Sequence, residues 1–197
     1  MDRVQSWRNR LNALILVLPG QWFGLMVVYW ARFLPAFRPT GFEAASPDLL
    51  GFLTGCVVSC IPFLLPKSYF VPRAFERGRL YPMLGVRGFR YLATDGVLVN
   101  ALLRRIEPTY RIVRNRATLR SHIEGTYQNE RWHLSFFLAG AFSVLHAAST
   151  GQYVFAGLLA AANVLFNLYP VIHQRYKRSR SSRLLRSLSE HRAGTAT

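Results

Sequence analysis

The amino-acid sequence predicts an all-α integral membrane protein, with four transmembrane helices and a basic cytoplasmic loop carrying short amphipathic helices. Three observations predict it. Apolar residues collect into four stretches, 11–34, 49–65, 132–148 and 153–172, each near the roughly 20 residues a helix needs to cross a hydrocarbon core. The rest of the chain is strongly basic, with 25 Lys and Arg against 9 Asp and Glu and a formal charge of +16. That charge is one-sided. All basic residues except Arg32 and Arg38 fall before the first stretch, in 67–131 or after the fourth, which places both termini and the central loop on the cytoplasmic side. Composition alone does not reveal this, because mean hydropathy is only +0.13 and the signal lies in the arrangement.

The first span follows Arg3, Arg8 and Arg10 and contains Pro19-Gly20. Its start resembles a signal peptide, but no small-x-small site follows and the apolar run continues, so it reads as an uncleaved helix. Ser46 can cap the second span, with Pro47 in its first turn and Asp48 at the positive helix end. Cys56 and Cys60 lie four apart within it and read as buried free thiols, since soft co-ligands are missing and an i,i+4 pair suits a disulfide poorly. Lys67 marks its exit.

The cytoplasmic loop, 67–131, opens with closely spaced turn formers. Gly85 and Gly88 stand there without the context of a phosphate loop. An amphipathic helix is expected over 95–106, ended by Pro108. From Ala117 the chain is expected to be helical again and to run without a break into the third span. Ser149-Thr150-Gly151 is so short a turn that the third and fourth spans form an antiparallel hairpin. Residues 1–186 read as a single membrane domain and 187–197 as a flexible basic tail.

Two polar patterns on that hairpin carry the candidate chemistry. Glu130 and His133 stand three apart at the entry to the third span. They suit either a pair exposed to headgroups or an imidazole general base oriented by a carboxylate. On the fourth helix Asn163, Asn167, Pro170, Gln174 and Arg178 recur every three or four residues, a stripe suited either to helix adhesion or to a wet site. The hairpin brings these patterns to one depth, where Gln174, Arg175 and Tyr176 are placed to serve as oxyanion donors or substrate-binding groups. Trp132, Tyr169 and Tyr176 also suit interface anchors. Glu130-Arg131-Trp132-His133 lacks the second histidine of a zinc-protease helix, and no metal is expected. No nucleic-acid-binding pattern accompanies the charge, and no inverted repeat supports a transporter.

The residues Asn167-Leu168-Tyr169-Pro170-Val171-Ile172-His173-Gln174-Arg175-Tyr176-Lys177-Arg178-Ser179-Arg180 resemble the glycosyl-4,4'-diaponeurosporenoate acyltransferase family, small membrane acyltransferases of carotenoid glycoside biosynthesis. The family has an Asn near a Pro, then Gln-Arg-Tyr-Asn-Arg-x-Arg. Thr126-Tyr127-Gln128-Asn129-Glu130-Arg131-Trp132-His133 is similar to its Glu-Thr-x-x-x-Glu-x-x-His, and Phe75-Glu76-Arg77-Gly78-Arg79-Leu80-Tyr81 to an acidic residue before a glycine–basic–aromatic stretch. Lys177 stands where the family has Asn, and Gly125 where it has its first Glu. The resemblance implies esterification of a sugar hydroxyl on a membrane-embedded carotenoid glycoside or related glycolipid by a fatty acyl group. For that reaction the convergence of the two helix ends gives His133 and Glu130 as the expected catalytic residues, with Asn167, Gln174, Arg175, Tyr176 and Arg178 binding substrate or oxyanion. No tightly bound cofactor is expected. Acyl-CoA or acyl-carrier-protein is the implied donor, and membrane lipids, the acceptor and pigment-pathway enzymes are the implied partners. The alternative is a non-enzymatic lipid- or carotenoid-binding scaffold, which the basic face and the Asn/Gln stripe would also serve.

Overall fold

In the computed structural model, residues 3–33, 47–77 and 80–194 are described, and all of their regular structure is helical. The order is α1 (Arg3–Phe33), α2 (Pro47–Leu64), two 3-10 turns (Lys67–Phe70 and Ala74–Arg77), α3 (Leu80–Met83), α4 (Val86–Leu92), α5 (Val97–Ile106), α6 (Arg116–Ser149) and α7 (Tyr153–Asn163). A π-helical turn, Val164–Leu168, follows, and α8 (Tyr169–Gly194) completes the chain. Ser46, the expected cap of α2, lies outside the described residues. Close contacts divide the chain into two units, the first made of 1–16, 66–130 and 169–197, the second of 17–65 and 131–168.

Among the described residues three helical segments, not four, are long and apolar enough to cross a membrane: Arg3–Arg32, Pro47–Leu64 and Tyr153–Glu190. The expected third span, within α6, is not among them. Its stretch 132–148 carries His133, Ser135, Ser143 and His146, and the polar positions are bonded within the second unit. Ser135 Oγ donates to the Ser59 carbonyl at 2.5 Å, and Trp30 Nε1 donates to Ser143 Oγ at 2.9 Å. A helix whose polar groups are satisfied by its neighbours need not be apolar all round. Much of the apolar surface of the other helices is exposed, with Leu14, Val57, Leu64 and Val154 open by 70% or more, as suits a lipid-facing protein rather than a water-soluble one.

The second unit packs Tyr29, Trp30, Ala147 and Ala156 into one core. Cys56 and Cys60 are free but exposed rather than buried, because they line a half-open groove of the second unit. Gly151, with φ 76°, makes the tight turn after α6 that the sequence marks.

The first unit has its own core of Val4, Val99, Leu103 and Tyr110. The expected amphipathic helix is α5, which buries Val99 and Leu103 and ends in Arg104-Arg105. Asp95 precedes it in the left-handed region, φ 53°. Arg8 Nε and Asn12 Nδ2 each donate to its carboxylate at 2.8 Å, and its own N–H donates to Asn12 Oδ1 at 2.9 Å. Burial pushes the Asp95 carboxyl up, but Arg8 and Asn12 outweigh it and hold it below the ordinary range. α8 runs as helix to Gly194.

Candidate functional site

The first unit contains a cluster of two carboxylates and two guanidiniums. α6 supplies Thr126 and Glu130, α8 supplies Arg175 and Arg178, and the 3-10 turn Ala74–Arg77 supplies Glu76. Glu130, 1% exposed, accepts from Arg175 Nη1 at 2.9 Å on one oxygen and from Arg178 Nη2 at 2.5 Å on the other. Arg175 also clamps Glu76, with Nη2 at 2.6 Å and Nε at 3.1 Å. Arg178 is fully buried and donates further to the Phe70 carbonyl, to Thr126 Oγ1 and to the Thr126 carbonyl. Its guanidinium lies 3.9 Å from the centre of the Tyr127 ring.

Two positive and two negative charges cancel in this cluster, which is the condition for holding ions in a dry interior. Burial pushes the Glu76 carboxyl up, while hydrogen bonds from Arg175 and Tyr81 outweigh it and keep it below the usual carboxylate range. Burial and the hydrogen bond it donates to Glu76 at 2.7 Å push the Tyr81 phenol up. The guanidinium nitrogens of Arg175 face carboxylates, so the cluster is a rigid frame for α6, α8 and the 3-10 turn. Gln174 is different. It is buried, and its Oε1 has no hydrogen-bond partner among the described residues. Tyr176 is half-buried, its ring 5.6 Å from that of Tyr81. Lys177 is half-buried in the same unit, and α6 runs unbroken through Gly125, where a Cβ would meet nothing.

In the second unit α6 meets α7 and the π turn. Pro170 has no N–H to offer the Phe166 carbonyl four residues back, and there the helix widens to π, a distortion often found at functional sites. His133 takes its partners from this turn, hydrogen-bonding the Phe166 main chain and the Asn167 side chain. Its Nδ1 is buried with no partner among the described residues. Asn167 Nδ2 donates to Asn163 Oδ1 at 2.8 Å, and Asn163 Nδ2 to the Phe137 carbonyl at 2.9 Å. Gly140 makes that approach possible, since a Cβ there would lie 2.6 Å from the Asn163 side chain.

The sequence-predicted residues thus divide between the units. Glu130, Gln174, Arg175, Tyr176 and Arg178 belong to the first, with Glu130 spending both oxygens on arginines. His133 and Asn167 meet in the second. Glu76, Tyr81 and Thr126 are not among the sequence-predicted site residues, although all three lie in the motifs that carry the family resemblance. A second polar cluster has no counterpart in the sequence patterns. His146 Nδ1 lies 2.6 Å from the Tyr29 hydroxyl and Nε2 lies 3.0 Å from Asp48 Oδ1, tying α6 to α1 and α2. No spacing links residues 29, 48 and 146, so no local signal could have found it. Among the described residues no three His, Cys, Asp or Glu side chains gather as a metal site requires.

Long apolar helices carrying buried polar clusters define the class as a helical membrane protein. The family model for glycosyl-4,4'-diaponeurosporenoate acyltransferase matches residues 66–187, more than half of the chain, and the chain belongs to that family. It is an O-acyltransferase acting on a carotenoid glycoside or related glycolipid. No curated protein and no solved structure matches it.

Proposed function

We infer that His133 is the general base of this acyl transfer. The observation that carries the reading is its buried, unpartnered Nδ1 on a ring whose other contacts are fixed by Phe166 and Asn167. With the ring N–H directed at the Phe166 carbonyl, the Nδ1 lone pair takes the proton of a sugar hydroxyl. The sugar oxygen then attacks the acyl carbonyl carbon, and the tetrahedral intermediate collapses as the thiolate of the donor leaves with the proton from His133. General base catalysis of this kind is worth about 10²- to 10⁴-fold. The orienting role that spacing assigns to Glu130 passes to Asn167 and the Phe166 carbonyl. Glu130 acts instead as a positioning residue for Arg175 and Arg178.

Gln174 is the member of the α8 motif that remains for a ligand of the first unit, its free Oε1 accepting from a donor such as a pantetheine amide N–H. The donor is a fatty acyl thioester of coenzyme A or of an acyl carrier protein, both anionic, and the basic first unit attracts such a ligand at the cytoplasmic face. The concentration of basic residues in 1–10, 67–131 and after 172 supports the reading that both termini lie on the cytoplasmic side of the cell membrane. Thiol-labelling of single-cysteine variants at residues 3–10, 104–120 and 183–190 from either side of the membrane tests the orientation.

Mass spectrometry of lipids and pigments from a deletion strain tests the reaction. Complementation with the wild-type gene should restore an acylated glycoside, and complementation with His133→Ala should accumulate its free hydroxyl precursor. Unchanged acylation in the deletion strain, with altered pigment retention only, would leave a binding scaffold instead.

A further inference from the structure

The second unit carries a half-open apolar groove of about 760 Å³ between α1, α2 and α6 that the chemistry at His133 does not use. Along α6 its wall runs from Trp132 to Ser143 and along α2 from Phe52 to Phe63. At 1.5 Å of rise per residue each wall is about 16 Å long. The α6 face that lines it, with Trp132, Ser135, Ala139 and Phe142, adjoins the face that carries His133, Phe137 and Gly140.

The walls offer a ligand very little polarity. Ser135 Oγ is spent on the Ser59 carbonyl, Ser59 Oγ on the Cys56 carbonyl at 2.7 Å, and Ser143 Oγ on the Ala139 carbonyl at 2.9 Å. Phe63 closes edge-on against Trp132, ring centres 4.8 Å apart, at the end of the groove next to His133 in the chain. An occupant is therefore an alkyl chain, held by area rather than by hydrogen bonds.

Its dimensions narrow the choice. A chain of about 16 methylenes fills roughly 450 Å³ at ordinary organic packing density, so the groove has room for one such chain. The conjugated backbone of a carotenoid is far longer than the walls.

We propose that this groove is the acyl-chain site, holding the fatty tail that is transferred, with its carbonyl end at Trp132 and its methyl end toward Phe52 and Ser143. The assignment rests on the acyl-transfer reading above, and it makes the groove the determinant of chain length.

Ala139 lies seven residues past Trp132, about 10 Å into the site. Ala139→Phe should raise the ratio of octanoyl to palmitoyl transfer at least tenfold, with Cys56→Phe on the opposite wall giving the same shift if the first variant fails to fold. An unchanged ratio in a folded variant overturns the proposal. A readout without turnover separates it from the catalytic reading. Palmitate bearing a terminal diazirine, in phosphatidylglycerol vesicles, should label residues 52–63 or 132–143 of the full-length protein, and palmitoyl-CoA should compete. Labelling elsewhere, or labelling that palmitoyl-CoA leaves unchanged, overturns the site. Competed labelling by a wild-type protein that transfers no acyl group keeps the site and overturns the role of His133.

Discussion

Glu130→Gln isolates the buried charge cluster. The change keeps the side-chain shape but removes one negative charge from a set of two arginines and two glutamates, leaving an excess positive charge beside Arg178, which is fully buried. Both carboxylate oxygens accept from guanidinium N–H groups. In the Glu130→Gln variant one of these positions becomes an NH₂ group facing a donor. Arg178 keeps its bonds to Phe70 and Thr126 but loses its counter-ion. Stranding a buried charge in this way costs about 3–5 kcal/mol. Glu76→Gln should cost less, because Arg175 keeps Glu130 and is 16% exposed. Pairing Glu130→Gln with Arg178→Met should restore part of the loss, since the neutral methionine leaves no stranded charge. Denaturation of the wild type and these three variants in mixed micelles, followed by tryptophan fluorescence, measures each cost. A Glu130→Gln loss below about 1 kcal/mol, or a double variant no more stable than the single, would refute the reasoning.

Three other outcomes follow from the same structure. Gly140→Ala should displace Asn163 from the Phe137 carbonyl and cost about 1–3 kcal/mol, read as a fall in thermal midpoint, because the new Cβ meets the Asn163 side chain at 2.6 Å. Pro170→Ala restores an N–H for the Phe166 carbonyl in competition with His133, so the variant should be more stable yet slower in acyl transfer. Equal activity would count against the role of the π turn. Glu76 and Asp95 are both held below the ordinary carboxylate range, so their contribution to stability is present above the unfolded pKa and is lost as pH falls through the folded one. Unfolding midpoints should therefore hold near neutrality and drop below about pH 4, and Asp95→Asn should flatten that acid limb.

How much of this was legible in the sequence depended on whether a feature is local. The α5 helix, the long α6 starting near Ala117 and the turn at Gly151 are short-range patterns of apolar period, proline and glycine, and they appear where expected. The family motifs likewise pointed to α6 and α8, which meet through Thr126, Glu130 and Arg178. Counting spans from apolar length failed at α6, because its stretch 132–148 is interrupted by His133, Ser135, Ser143 and His146, whose partners lie on other segments. The same blindness to partners made Arg175 and Arg178 look like free donors, when Glu76, remote in sequence, and Glu130 neutralise them. Cys56 and Cys60 look buried in the sequence because a residue in an apolar run reads as interior. In a lipid-facing helix, apolar residues also point outward.

The central claim is that His133 accepts the proton in acyl transfer. The initial rate of His133→Ala, purified in vesicles with glycoside acceptor and palmitoyl-CoA, should be at least about 100-fold below wild type at an unchanged unfolding midpoint. A rate within about twofold of wild type would contradict the account.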